Sequence, residues 1–164
     1  MAVKVKTMND LFVHGLQDMY FAEKQILRSL PKMAKAVETR ELKQAIDKHH
    51  DETKQHVERL ENIFKSIGEK PKGVECKAIE GIISEAEDQL QDISNDAVGE
   101  AAVIASAQAV EHYEISRYGT LLAWAQELGH TEAVDILKST LDEEKKTDKL
   151  LTQLAEQKIN KAAA

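Results

Sequence analysis

The sequence predicts an all-α fold, an antiparallel four-helix bundle with one long crossover that contains a short extra helix. Composition is the first observation: 7 Gly and 2 Pro among 164 residues leave long stretches without helix breakers. The second is periodicity, because apolar residues recur every three or four positions along four long stretches. The length suits a single domain, residues 1-164, with a sizeable core.

Caps and stops set the boundaries of the first helix pair. Thr7 or Asn9 can cap the first helix, and Pro31 within its apolar pattern should bend it. Thr39 can cap the second helix, and Gly68 can stop it. The predicted helices are 8-37, 40-67, 77-93, 97-128 and 131-158.

The second pair follows a long crossover. A loop containing Pro71 and Gly73 precedes the short helix, and residues 94–96 should end that helix and cap the next one. Gly129 ends the third long helix, and Thr131 can cap the fourth. Short connections make each pair antiparallel, and one long crossover is the connectivity of ferritin-like bundles.

Four glutamates occupy positions where these helices should bury apolar residues. Burial of a carboxylate is costly unless it is paired or binds a metal. An internal repeat aligns Glu23 with Glu111 and Glu52 with Glu144, so that each helix pair contributes one carboxylate from each of its helices. A pseudo-two-fold arrangement would bring all four to one level of the core, which predicts a shared cation site.

Three further ligand-type side chains, His56, Glu114 and Asp148, lie one helical turn from these glutamates. Residues three or four apart share a helix face, so each can point at the same place as its glutamate. Oxygen-rich sites with some imidazole suit iron or manganese, and di-iron bundles draw such ligands from four helices. The predicted metal ligands are Glu23, Glu52, His56, Glu111, Glu114, Glu144 and Asp148.

Two metal ions require bridging carboxylates, and Glu52 and Glu144 are the natural bridges because each comes from a different pair. Glu23 and Glu111 would then be terminal ligands. Glu114 would be an additional terminal ligand, and His56 and Asp148 would complete the shell.

Two alternatives remain open in the ligand set. His49 lies one turn before Glu52 on the same stripe and could replace His56 or support it from outside. Glu143 could replace Glu144 if the fourth long helix is rotated about its axis.

Five segments carry a more specific pattern: AEKQ at 22–25, ET at 52–53, VEHYEI at 110–115, RYGTL at 117–121 and EEKxTD at 143–148. Through them the whole chain resembles the YciE/YciF-type ferritin-like stress proteins. The resemblance implies a four-helix bundle with a rubrerythrin-like metal site, often dimeric, in bacteria. It implies an association with stress but no defined reaction.

The chain departs from the ferritin and rubrerythrin pattern at two points. That pattern has a histidine three residues after the second-helix glutamate, whereas position 55 is Gln and the histidine is His56. The fourth long helix has no histidine. Cys76 is the only cysteine, so the cysteine pairs of a rubredoxin module are absent. A metal site is therefore better supported than any particular reaction.

Charge and hydropathy limit the remaining functions. A net charge of -7, with both signs interspersed, argues against a nucleic-acid surface. No apolar stretch suggests a signal peptide or a membrane span, so a cytoplasmic location is expected. A homodimer is expected through an apolar outer face of the long helices or of the crossover helix. The predicted function is a stress protein with two iron ions (or manganese) that handles Fe(II), O2 or peroxide, with ferroxidase- or peroxidase-like turnover as an open question. The alternative is a non-enzymatic stress or scaffold protein whose metal site is vestigial or unoccupied.

Overall fold

The computed structural model describes residues 5–93 and 96–164, and every regular element in these ranges is helical. The predicted break at 94–96 lies partly outside these ranges, and Asp96 is the first residue of the next helix. The predicted last helix, 131-158, changes to π-helical hydrogen bonding after Leu154. The elements are α1 (Met8–Lys35), α2 (Arg40–Ser66), α3 (Lys77–Asp92), α4 (Asp96–Leu128), α5 (Thr131–Leu154), a π-helical turn (Ala155–Ile159) and a last helical turn (Asn160–Ala163).

Local chemistry explains where several helices begin and end. The Thr7 hydroxyl accepts the backbone N–H of Asp10 at 3.0 Å, and the Asp10 carboxylate accepts the N–H of Thr7 at 2.9 Å, which forms a capping box. Gly68 and Gly129 have φ of 75° and 72°, the left-handed conformation that ends helices. Pro31 lies within an α1 that runs on to Lys35 without interruption.

The predicted cap at Thr131 is wrong, whereas Thr39 is the N-cap residue of α2 as predicted but makes no side-chain capping bond. The N-terminus of α2 is capped from α4, because the Glu100 carboxylate accepts the backbone N–H groups of Glu38 at 2.7 Å and of Thr39 at 2.6 Å. The Thr39 hydroxyl donates to Glu100 at 2.6 Å and makes no capping hydrogen bond to its own helix. At α5 the N-cap position belongs to His130, whose side chain forms no capping bond, and Thr131 is the first helical residue.

The helices form the predicted bundle. α1 packs against α2 and α4 against α5, while α2–α5 and α1–α4 contacts close the bundle and α3 covers α1 and α4. Contacts between α2 and the α5 region run in opposite directions along the two segments: Glu41 pairs with Lys158, whereas Arg59 contacts Thr140. The two helices are therefore antiparallel.

The core is apolar towards both ends of the bundle and polar in its middle. Buried apolar residues fill one end (Phe12, Leu16, Ile63, Phe64, Ala125 and Leu137) and the other (Val37, Leu42, Val103, Ile104 and Ile159).

No described helix combines the length and apolarity needed to cross a membrane.

Candidate metal centre

Six ionisable side chains meet in the middle of the bundle, and none is more than 4 % exposed. All four long helices contribute. Helical spacing brings them together, because residues three, four or seven apart lie on one face. The side chains, together called the carboxylate–histidine cluster, are Glu23 (α1), His49 and His56 (α2), Glu111 and Glu114 (α4) and Glu144 (α5).

The cluster divides into two groups that share Glu144. Within each group the candidate ligand atoms, one per residue, all lie within 4.8 Å of one another. Such spacing permits one ion per group, with one carboxylate common to both ions. The His56 group is Glu23, His56 and Glu144. The His49 group is His49, Glu111, Glu114 and Glu144.

Most ligand-type atoms of this cluster lack hydrogen-bond partners. Among the described residues, nine buried side-chain nitrogen and oxygen atoms have no partner, and all nine belong to the six cluster residues. Both carboxylate oxygens of Glu114 and of Glu144 are among them. Because buried polar groups are almost always hydrogen-bonded, this concentration of exceptions indicates a place where a bound ion would complete the side chains.

The distances between these atoms fit metal coordination. Nδ1 of His56 lies 2.8 Å from Glu144 Oε1 and 3.4 Å from Glu23 Oε1, and Nε2 of His49 lies 3.0 Å from Glu111 Oε1. These nitrogens nevertheless make no hydrogen bond of acceptable geometry. An octahedral ion with bonds of about 2.1 Å separates neighbouring ligand atoms by about 3 Å, so the residues present fit such an ion.

Burial and mutual repulsion perturb the carboxyl groups. Burial raises the pKa of Glu111 to about 8, although the neighbouring His49 opposes the shift. Burial, followed by the charges of Glu144 and Glu23, raises the pKa of Glu114 well above its ordinary value. Burial also acts to raise the pKa of Glu144, but contact with His56 outweighs it and the pKa is lowered.

The neighbouring carboxylates raise the pKa of both histidines. Burial alone would lower the pKa of His49, but the Glu111 and Glu144 carboxylates raise it to about 9. Burial likewise opposes the charged form of His56, whose pKa the contacts with Glu144 and Glu23 raise to about 11. Without an ion the cluster therefore retains protons, and a metal ion must displace them when it binds.

Tyr118 contacts the cluster from α4. Its hydroxyl donates a hydrogen bond to Oε1 of Glu23, and its ring packs edge-on against His56 with 6.4 Å between the ring centroids. Oε2 of Glu23 keeps no partner. Tyr118 is 1 % exposed, and its hydrogen bond orients a cluster carboxylate.

Two predicted ligands lie outside the cluster. The half-buried Glu52 carboxylate is 2.8 Å from Lys48 Nζ. The Asp148 carboxylate accepts the Gln108 side-chain amide at 3.0 Å and lies 3.2 Å from His112 Nε2. The predicted equivalence of Glu52 and Glu144 as bridges therefore fails in the geometry, since only the latter reaches both groups.

On each of the two helices, the residue next to the predicted ligand in the sequence takes the core position. Thr53 is fully buried and Thr147 is 8 % exposed, so they take the core positions beside Glu52 and Asp148. Adjacent residues point about 100° apart around a helix, and that rotation turns both carboxylates away from the cluster. His49, the alternative ligand in the sequence, faces the cluster instead.

Glu143 is not a cluster member but contacts one. Its Oε2 lies 2.8 Å from Nε2 of His56. Arg59 donates to both Glu143 oxygens at 2.7 and 2.9 Å and to the Thr140 hydroxyl at 3.2 Å. Burial would raise the pKa of Glu143, but these two cationic partners lower it. No sequence pattern indicated Arg59, because its partners belong to a helix distant in the chain.

Comparison with known proteins places this architecture in a family. Residues 7–164 match the family model described as "Domain of unknown function (DUF892)". The chain belongs to the DUF892 family. It is 44 % identical over 162 residues to Protein YciF of Escherichia coli (strain K12), which covers 98 % of both proteins. The similarity that the sequence motifs indicated is thereby confirmed.

Solved structures confirm the helical bundle of this DUF892 protein. The crystal structure of the E. coli stress protein YciF superposes with a TM-score of 0.91 at 45 % identity, covering 96 % of this chain and 99 % of that one. YcfI from Rhodopseudomonas palustris gives 0.90 at 48 % identity, covering 93 % and 97 %. A protein from Xanthomonas campestris pv. campestris, at 22 % identity and a TM-score of 0.74 over 92 % of each chain, shares the fold alone.

Proposed function

We propose that this DUF892 protein binds two iron ions, with manganese as the alternative, in the carboxylate–histidine cluster. With these ions it would handle Fe(II), O2 or peroxide during stress. The observation that carries the proposal is the set of nine buried, partnerless ligand atoms on six side chains. The association with stress comes from the similarity to E. coli YciF, which is described as a stress protein.

Glu144 supports the presence of two ions because its oxygens face different histidines. Oε1 lies 2.8 Å from Nδ1 of His56, and Oε2 lies 4.0 Å from Nδ1 of His49. A carboxylate in this position can donate one oxygen to each ion. Glu144 would therefore bridge the two ions, while Glu23 and Glu111 would remain terminal ligands as the sequence predicts.

Charge balance supports the same number of ions. The cluster contains the carboxyl groups of Glu23, Glu111, Glu114 and Glu144. Fully ionised, these carry four negative charges, and two divalent cations carry four positive charges. Burial is costly for unpaired charge, so two divalent ions convert a strongly repulsive set into a neutral one. Four carboxylates and two imidazoles are also the ligand set of di-iron carboxylate bundles.

A side chain next to the cluster would hold one of its ligands in position. When bound, two adjacent redox-active ions would supply electron exchange with a small oxidant. Tyr118 fixes Oε1 of Glu23, so that the partnerless Oε2 is available to an ion. The phenol thereby holds one terminal ligand in a single orientation.

A small pocket lies beside the cluster. His49 and Glu111 line it, with Leu30, Met33 and Ile46 in its wall. It has room for about one water molecule next to the proposed ions. A solvent molecule or a small reactant could therefore approach the His49 group from this side.

The direct test is metal binding by the purified protein. After anaerobic loading with Fe(II) and desalting, elemental analysis should give about two iron atoms per chain. Exposure to O2 should then produce the near-ultraviolet absorption of oxygen-bridged ferric ions. Iron content near zero after loading would contradict the proposal.

A non-enzymatic stress or scaffold protein with a vestigial site is the second candidate. The raised pKa values of Glu111 and Glu114 favour it, since protonated carboxyl groups can remain buried without an ion. YcfI, whose name assigns it a provisional structural role, is consistent with this view. Under this alternative, Mn(II) or Fe(II) leaves the melting temperature unchanged, whereas a tight ligand raises it. The homodimer and the cytoplasmic location stay predictions.

A further inference from the structure

His56 uses its two ring nitrogens for different contacts. Nδ1 faces Glu144 and Glu23 within the cluster, at 2.8 and 3.4 Å. Nε2 points the other way and lies 2.8 Å from Oε2 of Glu143. The imidazole is fully buried, whereas the Glu143 side chain is 25 % exposed. Glu143 therefore stands between the buried histidine and solvent.

Glu143 is itself held in place. Two nitrogens of the Arg59 guanidinium donate to its two oxygens at 2.7 and 2.9 Å. The same guanidinium donates to the hydroxyl of Thr140, which is 2 % exposed. A bidentate arginine–carboxylate pair fixes the plane of the carboxylate as well as its position. The carboxylate that contacts His56 thus has little freedom to turn.

His49 lacks such a support. Neither of its ring nitrogens has a hydrogen-bond partner. Nε2 faces Glu111 at 3.0 Å and Nδ1 faces Glu144 at 4.0 Å, so both nitrogens are directed at cluster carboxylates. The two histidines of α2 therefore differ: one is oriented from outside the cluster and the other is not.

We propose that Glu143, held by Arg59, is a positioning residue that orients His56 so that Nδ1 is presented to the ion of the His56 group. A carboxylate on the outer N–H of a ligating histidine fixes the tautomer and ring orientation and increases the basicity of the inner nitrogen. The inference rests on the proposed metal centre and gives Glu143, which the sequence offered as an alternative ligand, a positioning role outside the cluster. It also makes the two ion positions unequal in their dependence on Glu143.

Mn(II) titration of the full-length protein tests the assignment, with isothermal calorimetry for affinity and electron paramagnetic resonance for the coupling of two ions. Glu143→Leu removes the contact to Nε2 and should weaken one of the two Mn(II) ions by about 10- to 100-fold, the usual effect of losing such an outer partner. Glu143→Gln retains an acceptor oxygen without its charge and should show a smaller loss. Retention of two ions at wild-type affinity in Glu143→Leu would overturn the assignment.

Two controls separate positioning from general stability. Glu41→Gln breaks an exposed ion pair between α2 and Lys158, 2.9 Å long, and should leave both Mn(II) affinities unchanged. Arg59→Met keeps Glu143 but releases its carboxylate, so it should weaken the same ion less than Glu143→Leu does. A merely structural role would lower the metal-free melting temperature and spare Mn(II) affinity, which would count against the inference.

The outcomes also distinguish this inference from the proposed function. Wild-type protein that binds no Mn(II) or Fe(II) would refute the metal centre and the positioning role together. Wild-type protein that binds two ions, beside a Glu143→Leu variant that binds them equally well, would refute the positioning role alone. If Glu143→Leu fails to fold, Glu143→Gln and Arg59→Met decide, and wild-type affinity in both contradicts the inference.

Discussion

Two regions of the bundle bury carboxylates, and they do so in opposite ways. At one end, Glu100 is 6 % exposed and accepts hydrogen bonds from the backbone of Glu38 and from the backbone and hydroxyl of Thr39. In the middle, Glu114 is fully buried and neither of its oxygens has a partner. The first carboxylate completes a helix terminus, whereas the second has no hydrogen-bond partner in the protein.

The two environments shift the carboxyl pKa in opposite directions. Burial acts to raise the pKa of Glu100, but its bonds to Thr39 and Glu38 outweigh that effect and lower it. Burial and neighbouring charge both raise the pKa of Glu114. Burial of an acidic residue therefore does not by itself mark a functional site in this fold. The distinguishing property is whether the protein satisfies the buried oxygens.

The largest effect is expected at the shared ligand. Glu144→Ala removes an oxygen from both proposed ions, so the stabilisation by Mn(II) should disappear. For a ligand at one hundred times its dissociation constant that stabilisation is about 2.7 kcal/mol. Thermal melts with and without Mn(II) measure it, with Glu41→Gln as the matched surface control. A full metal-dependent shift in Glu144→Ala would show that the cluster is not the binding site.

Loss of the Glu100 cap should lower the stability of the metal-free protein without changing its response to Mn(II). Glu100→Ala leaves the N–H groups of Glu38 and Thr39 without their acceptor, which should cost about 1–3 kcal/mol of unfolding free energy. Its response to Mn(II) should remain that of the wild type. Urea denaturation with and without metal gives both quantities. A variant with unchanged stability but lost metal response would reverse the roles assigned to the two regions.

The pH dependence of the metal-free protein provides a third contrast. The folded-state pKa of His49 is raised from 6.5 to about 9, so its stabilising contribution is complete below 6.5 and is lost as pH rises through 9. Glu111 contacts His49, and burial raises the Glu111 pKa as well, so the pair retains a proton that the unfolded chain releases and stability falls as pH rises. Melting temperature should therefore decrease from pH 7 to pH 9 without metal.

Glu100 contributes on the acid side of this profile. Its pKa is lowered from 4.5, so its stabilising contribution is present above that value and is lost as pH falls below it. Glu100→Gln should flatten the acid limb and leave the decrease between pH 7 and pH 9 intact. A metal-free melting temperature that rises from pH 7 to pH 9 would contradict the proton retention assigned to the cluster.

The smallest effect is expected at Glu52. Its carboxylate is paired with Lys48 near the surface, and such pairs contribute about 0–1 kcal/mol. Glu52→Gln should therefore change neither stability nor Mn(II) affinity by more than a small amount. The predicted bridging role, in contrast, requires a large loss of metal. Calorimetric titration of this variant decides between the structural placement and the sequence prediction.

Sequence periodicity was sufficient for the helices and for much of the cluster. Buried glutamates within apolar stripes identified Glu23, Glu111 and Glu144, and the same stripes located His56. These inferences need only the period of a helix and the cost of a buried charge. Both are local properties of the chain, which explains why the fold class and these positions could be predicted.

Rotation of a helix about its axis could not be predicted in the same way. Glu52 and Thr53 are both compatible with the α2 stripe, and packing against the other helices decides which one is buried. The same holds for Thr147 and Asp148 on α5. The contact of Arg59 with Glu143 depends on the relative height of two helices, which no short-range pattern specifies.

Anomalous diffraction from Mn(II)-loaded crystals tests the central claim most directly. Two manganese peaks are expected, one on each side of Glu144. The first should lie at Nδ1 of His56 and Oε2 of Glu23, and the second beside His49 and Glu111. Loaded crystals with no peak in the cluster, or with manganese only at outer carboxylates such as Glu52, would contradict it.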